Sequence, residues 1–338
     1  MTHKYEHTHN PKVEHIHGKG HKNLATKPKH GGLRSILFSP VGGMSNASTR
    51  LICYENAPYL RQLGWRVKVG RDDASKYGIT IFQKRYSSRD LARAKATGGK
   101  TVLQISEARF VGRTKQSEDV IRFAKQVDKV VVGTRKTQDW FKAHGVTSTV
   151  IPTGLDFANL PHGVRKYKPI KICWIGNSRN EVYLNHLVEP LNRLWKEFDF
   201  EFRVIGGKML AAAWMKQPNF IKWQLGEAEK YVAECHIGVA PLNLGSVELT
   251  KPPSKPVLYM ALKLATIGTD TPPYRGLIQN GVNGFLISNN DPDAWYEALH
   301  GLFDDTTRTR IANAGYESCQ SYNAPVIAKR WDKFLRGL

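Results

Sequence analysis

Residues 237–242 read Ile-Gly-Val-Ala-Pro-Leu, residues 251–261 read Lys-Pro-Pro-Ser-Lys-Pro-Val-Leu-Tyr-Met-Ala, and residues 281–287 read Gly-Val-Asn-Gly-Phe-Leu-Ile. The first is a short apolar run closed by proline, the form of a strand buried on both faces of a parallel sheet. The second places Lys251 and Lys255 around Pro252, Pro253 and Ser254, residue types that open a helix, and runs on apolar to Ala261. A lysine beside the free N–H groups of a helix N-terminus makes a site for a diphosphate. The third is a glycine turn leading into another apolar run. Strand, cationic loop, helix and strand form the repeat of a doubly wound sheet, which binds its ligands at the carboxyl ends of the strands.

The same alternation extends in both directions. Apolar runs predict strands at 35–41, 66–69, 80–82, 101–105, 129–132 and 149–151, and again at 171–175, 202–205, 237–240, 265–267 and 284–287. Helical periodicity falls at 49–63, 87–96, 117–126, 136–144, 181–196, 227–233, 255–262, 292–303 and 307–318. The rhythm breaks at 159–169, a polar stretch with two prolines and a glycine. Two Rossmann-like α/β domains are therefore expected, at 33–160 and 170–323, facing each other across a cleft. A chain of 338 residues is the right length for two cores. Residues 324–338 predict a closing amphipathic helix with Val326, Ile327, Trp331 and Phe334 on one face. Residues 1–32 are polar, carry seven histidines and show no apolar period, so a disordered tail is expected there. No spacing in it fixes a tetrahedral metal site.

The formal net charge is +21, and residues 34–160 hold 22 Lys or Arg against 10 Asp or Glu. Such a field draws nucleic acid, acidic glycans or anionic lipid. No apolar run approaches the ~18–20 residues of a membrane span, and the polar start is not a signal peptide. Cys53, Cys173, Cys235 and Cys319 lie far apart, which excludes a zinc knuckle and reads as buried thiols in a reducing cytoplasm. Three further segments can carry chemistry. Residues 39–49 follow the first strand with Gly42, Gly43, Ser45 and Asn46 before a helix, neither a nicotinamide fingerprint nor a Walker loop. Residues 151–156, Ile-Pro-Thr-Gly-Leu-Asp, make a turn at the end of the first half. Residues 173–180 bring Gly176, Asn177 and Arg179 to the end of a strand, where Arg179 could pair with a diphosphate.

Taken with the opening segments, these stretches resemble the retaining GT-B glycosyltransferases of glycosyltransferase family four, also called glycosyl transferases group 1. The 151–156 turn is similar to that family's interdomain Ile-Pro-x-Gly-x-Asp, and 237–242, 251–261 and 281–287 are similar to its donor segments. The resemblance covers about 34–338, specific in the second half and diffuse in the first. It implies a hexosyltransferase whose second half holds a nucleotide-diphosphate sugar and whose first half holds the acceptor. Gly42, Gly43, Gly176, Asn177, Glu248, Lys251 and Ser254 would contact the donor. Arg179 and Lys255 would neutralise the leaving diphosphate, with retention of configuration and with no metal or other cofactor. Ser45, Asn46, Arg50, Lys84, Arg85 and Arg109 are expected on the acceptor side.

Two departures stand out. The family's Glu-x7-Glu pair falls on Thr250 and Leu258, with Glu248 the nearest carboxylate, which puts a ribose contact in doubt. Glu107 is the carboxylate best placed to touch an acceptor or sugar hydroxyl, and an ion pair with Arg109 or a neighbour is the structural alternative. The basic first half favours DNA, hydroxymethylated on its bases, over an anionic membrane glycolipid as acceptor. A cell-surface or lipid-linked acceptor is the alternative, and a non-catalytic nucleic-acid-binding protein of this fold is the third reading. No obligate protein partner is indicated.

Overall fold

A computed structural model describes residues 34–161, 168–206 and 214–338. Its first sheet is built from β1 (Ser35–Pro40), β2 (Arg66–Val69), β3 (Ile79–Gln83), β4 (Lys100–Ile105), β5 (Lys129–Val132) and β6 (Thr149–Val150), ordered β2-β1-β3-β4-β5-β6 and parallel throughout. The second is built from β7 (Ile170–Ile175), β8 (Phe200–Ile205), β9 (Asn219–Ile221), β10 (Ile237–Ala240), β11 (Ala265–Thr269) and β12 (Phe285–Ile287), ordered β12-β11-β10-β7-β8-β9 and again parallel. In each sheet the chain reverses direction beside its first strand, β1 against β3 and β7 against β10. That switch point is where a doubly wound sheet opens a crevice at its strand ends. β1, β3 and β10 are buried along their whole length, which is why they read as continuous apolar runs.

The C-terminal helix Ala324–Arg336 leaves the second half and packs onto the first. Ile327, Ala328, Trp331 and Leu335 share one core with Ile36, Phe38, Leu60, Val67 and Val102. Trp331 meets Phe38 edge-on at 6.1 Å, and Trp65 Nε1 donates to Asp332 at 2.7 Å. The crossing is fixed at Leu155, whose N–H donates to Tyr322 O and whose carbonyl accepts from Ala324 N. Gly154 lies under this crossing, where an added Cβ would fall 2.9 Å from Ile327 Cγ1. The glycine of the 151–156 turn is thus a close-packing requirement.

Some elements differ from the sequence expectation. The helix read at 49–63 is three pieces: Ala47–Thr49, a π-helical turn Arg50–Tyr54, and Ala57–Gln62. Pro58 lacks the N–H that would continue the ladder, and buried Asn56 donates its amide to Leu51 O and Ile52 O. The segment read as one helix at 181–196 begins as a 3-10 helix, Ser178–Leu184, before the α-helix Asn185–Leu194. Strand β9 had no distinct apolar run to announce it. The tail at 1–32 and the linker residues 162–167 lie outside the described residues. All four cysteines are buried and none forms a disulfide, and no helix among the described residues is long and apolar enough to cross a membrane.

Candidate functional site

The strand ends of the two sheets face each other and touch through Thr250. Its Oγ1 accepts from Ala108 N at 3.0 Å and its carbonyl accepts from Thr134 Oγ1 at 3.3 Å. Immediately beside it, Lys251 Nζ donates to Tyr183 Oη at 2.6 Å, and Tyr183 Oη donates to Glu248 Oε1 at 2.6 Å. Asn180 Oδ1 and Glu248 Oε1 complete the set, each 3.4 Å from Lys251 Nζ. Burial lowers the Lys251 pKa, while Glu248 and Glu107 favour its charged form.

Lys255 stands one helical turn further on, in Ser254–Ala261. Its ammonium lies 5.6 Å from the Trp174 ring centre and has no hydrogen-bonding partner among the described residues. Burial and the neighbouring Lys251 lower its pKa to about 8, and Glu107 acts the other way. A cation held this way gains from an arriving anion, because no described side chain hydrogen-bonds it and Glu107 offsets its charge only at a distance. The helix N-terminus adds less than the sequence suggests. Pro256 has no N–H and Ser254 N already donates to Pro252 O at 2.8 Å, so the ammonium and the Lys255 amide carry the attraction.

The loop after β7 closes the same corner. Gly176 is dictated by Trp174, whose ring would sit 2.3 Å from an added Cβ. Asn177 caps the 3-10 helix, accepting from Arg179 N at 3.1 Å, so its side chain is committed to the turn. Arg179 is exposed and its guanidinium is left unpaired among the described residues.

From the first half, Glu107 reaches the cleft between two cations, Lys84 Nζ at 3.1 Å and Arg109 Nε at 2.7 Å. Burial pushes its pKa up, but Lys84 and Arg109 outweigh it and hold the carboxyl at about 2. Glu107 is therefore ionised throughout the physiological range. Lys84 adopts φ +50°, the left-handed region a non-glycine residue enters only at a cost. Its amide donates to Gln104 O at 3.0 Å, and this turn delivers its ammonium to Glu107. Arg85 is similarly engaged with Asp90 at 2.5 Å and with Ser39 Oγ. Lys84 and Arg85, expected on the acceptor side, each answer a nearby carboxylate.

In the glycine loop, Gly43 has no atom within 4 Å of an added Cβ, and Ser45 is exposed. Asn46 caps the short helix, accepting from Thr49 N at 3.2 Å. Arg50 holds Met44 O at 3.2 Å and lies 5.4 Å from the ring centre of Trp223 in the second half, so it bridges the cleft rather than standing open to an acceptor. Leu258, at the family's second glutamate position, is buried among Ile175, Tyr183, Tyr259 and Tyr274. No carboxylate replaces it there. Tyr183, Trp174 and Trp223 were invisible as site residues in the sequence, and Thr250 was seen only as the residue at the family's first glutamate position. Of the first three, Tyr183 alone left a trace, as an aromatic a few residues after the Gly176 loop.

The family of glycosyl transferases group 1 matches residues 169–305. No curated protein matches the chain. Among solved structures, a glycosyltransferase from Rickettsia africae superposes with a TM-score of 0.71 at 12% identity, covering 92% of this chain and 99% of the other. HepE from Anabaena, solved with UDP and glucose, gives 0.69 at 11% identity over 90% and 100% of the two chains. Sucrose-phosphate synthase from Thermosynechococcus elongatus gives 0.66 at 11% identity over 90% and 98%. At such identities the likeness speaks for the fold, over about nine tenths of this chain. The chain has the GT-B fold of these structures, and its second half, residues 169–305, matches the family of glycosyl transferases group 1.

Proposed function

We propose that the cleft transfers a hexose from a nucleotide-diphosphate sugar to a polyanionic acceptor, with hydroxymethylated DNA the leading candidate, and with retention of configuration. The observation that carries the donor side is Lys255, an ammonium without a hydrogen-bonding partner that faces Glu107 across the cleft and sits beside Lys251. As the bond between the sugar and the β-phosphate breaks, negative charge grows on the diphosphate, and a preorganised cation there lowers the barrier. Arg179, exposed at the next loop, supplies a second cation. HepE was solved with UDP-glucose, which makes a UDP-hexose the first donor to test.

Glu107, with a pKa of about 2, is a poor proton acceptor near neutrality. Its part in this reading is to orient a sugar or acceptor hydroxyl by accepting a hydrogen bond, while the acceptor proton leaves with the diphosphate. Lys84 is then a positioning residue for Glu107. The cations take the role a metal serves in other sites, so chelation should leave the rate unchanged. A net of +12 in residues 34–160 is the support for a polyanionic acceptor. The four reduced, buried cysteines fit action in the cytoplasm. A lipid-linked acceptor is the second reading, favoured by Val41 and Met44, which leave 49% and 40% of their surface exposed on the glycine loop.

The test is a thermal-shift series with UDP, GDP, ADP and their sugars, followed by transfer onto hydroxymethylated and unmodified DNA. Stabilisation by one diphosphate together with labelled product on the modified DNA alone is the expected result. Stabilisation without transfer to any DNA would discard the acceptor and move attention to lipid-linked glycans. No stabilisation by any diphosphate would discard the donor site.

A further inference from the structure

The positive charge of the first half is not concentrated at the cleft. At the opposite pole, the N-terminal ends of β1 and β2, four exposed arginines gather around the turn at residues 63–67. Arg66 is part of that turn. Arg61 Nη2 donates to Val67 O at 2.9 Å, and Arg336 Nη2 donates to Leu63 O at 3.1 Å. Arg34 Nη1 lies 3.8 Å from where a Cβ on Gly64 would stand. Asp332 stands among them, binds Arg336 Nε at 2.7 Å and has its carboxyl pKa lowered by that arginine, by Trp65 and by Arg34, while Asp72 lies near enough to Lys68 for that lysine to lower its pKa.

The surrounding surface continues the imbalance. Residue 34, segment 57–68 and the C-terminal segment 324–338 together carry eight lysines or arginines against Asp332 alone. Lys68 faces outward from β2, the edge strand of the sheet, and Lys333 is exposed on the C-terminal helix. Edge strands often carry cations simply to discourage pairing with another sheet. That purpose needs only the side chains of β2 itself, whereas Arg34, Arg61, Arg336 and Lys333 stand off the strand. In sequence, residues 1–33 precede Arg34 and carry six lysines against two glutamates.

We propose that this arginine pole, with the outer edge of β2 and the C-terminal helix, binds the phosphodiester backbone of DNA apart from the catalytic cleft. β1 is six residues long, so the pole stands about 20 Å from the loop that enters the cleft. A polymer held there keeps its further nucleotides at high effective concentration near the strand ends, and planar guanidinium groups suit phosphate oxygens. The inference rests on the polyanionic-acceptor reading but is tested without any sugar transfer.

The experiment is fluorescence anisotropy of an unmodified DNA duplex with the full chain, from low to moderate salt. The triple variant Arg34→Ala, Lys68→Ala, Lys333→Ala removes three exposed cations that hold no other element in place. Each lost phosphate contact should flatten the slope of log K against log salt by about 0.9, so the variant should lose ~2–3 from that slope and bind at least tenfold more weakly at low salt. The control variant Lys125→Ala, Lys136→Ala, Lys142→Ala removes the same charge from the opposite side of the sheet and should leave the slope near that of the parent. Equal loss in both variants would mean a diffuse field and would overturn the proposal, as would an unchanged slope in the first. Binding to anionic vesicles with none to DNA would overturn it too, in favour of a lipid surface. Melting temperature and diphosphate-induced stabilisation should match the parent in both variants. Pole-dependent DNA binding without any transfer to DNA would sink the acceptor reading and leave this one standing.

Discussion

The two halves use charge in opposite ways. In the second half the net charge is small, and its cations near the strand ends are under-neutralised: Lys255 has no carboxylate partner, Arg179 none, and Lys251 shares Glu248 with Tyr183. In the first half the net charge is large, yet its cations at the cleft are spent on carboxylates, Lys84 and Arg109 on Glu107 and Arg85 on Asp90. Part of the excess lies away from the cleft, where Arg34, Arg61, Arg66 and Lys68 gather at the far pole. A cation in a narrow cleft acts on the bond being broken and must be left uncompensated to do so. A cation on an open surface acts on a polymer through many weak contacts, and its neighbours need only outnumber the acids.

The contrast can be broken first at the helix that ties the halves together. Trp331→Ala removes a fully buried ring from the core of the first half and should destabilise the chain by ~3–5 kcal/mol in denaturant unfolding. Since Trp331 belongs by sequence to the end of the second half, an equal loss confined to the second half would contradict the shared core. Next in size is Lys255→Ala, which should lower kcat by ~10²–10³-fold at an unchanged melting temperature. An unaffected rate would mean that the second half does not hold the leaving group. With a Lys255 pKa of about 8, the charged form is lost as pH rises, so kcat/KM of the parent should decline above about 8 and Lys255→Arg should move that limb upward.

Thr250→Val tests the seam. It leaves the Ala108 N–H without an acceptor and should cost ~1–3 kcal/mol, with a rise in KM larger than the fall in kcat if the two halves separate. The smallest effect belongs to Glu55, which accepts from Asp156 N at 2.8 Å at the hinge. Burial raises its pKa to about 7, partly offset by that hydrogen bond and by Arg50. Stability linked to it is whole below the unfolded value near 4.5 and is lost as pH rises through 7. Glu55→Gln should therefore raise the melting temperature by ~2–4 °C at pH 8 and leave it unchanged at pH 4.5. A gain of the same size at both pH values would show that the carboxyl is not the cause.

The sequence by itself determined the repeating strand and helix order, the two-sheet architecture and the donor-side segments. These are local signals: apolar runs of strand length, glycine turns, and two lysines around a helix start, all readable within a dozen residues. Only the tertiary structure decided which cations are free. Lys84 and Lys255 read alike as lysines near loops, but Glu107 comes within hydrogen-bonding distance of Lys84 from the next strand, whereas Lys255 gains no hydrogen-bonding partner among the described residues. The break in the helix after the glycine loop, the placement of Arg50 on Trp223, and the return of Trp331 to the first core likewise depend on residues more than a hundred positions apart, or on a buried amide competing for carbonyls. The arginine pole is the plainest case. Arg34, Arg61, Arg66 and Arg336 are scattered over the chain, and charge becomes a site only where folding gathers it, because Coulomb forces act across a few ångströms of space and take no account of sequence distance.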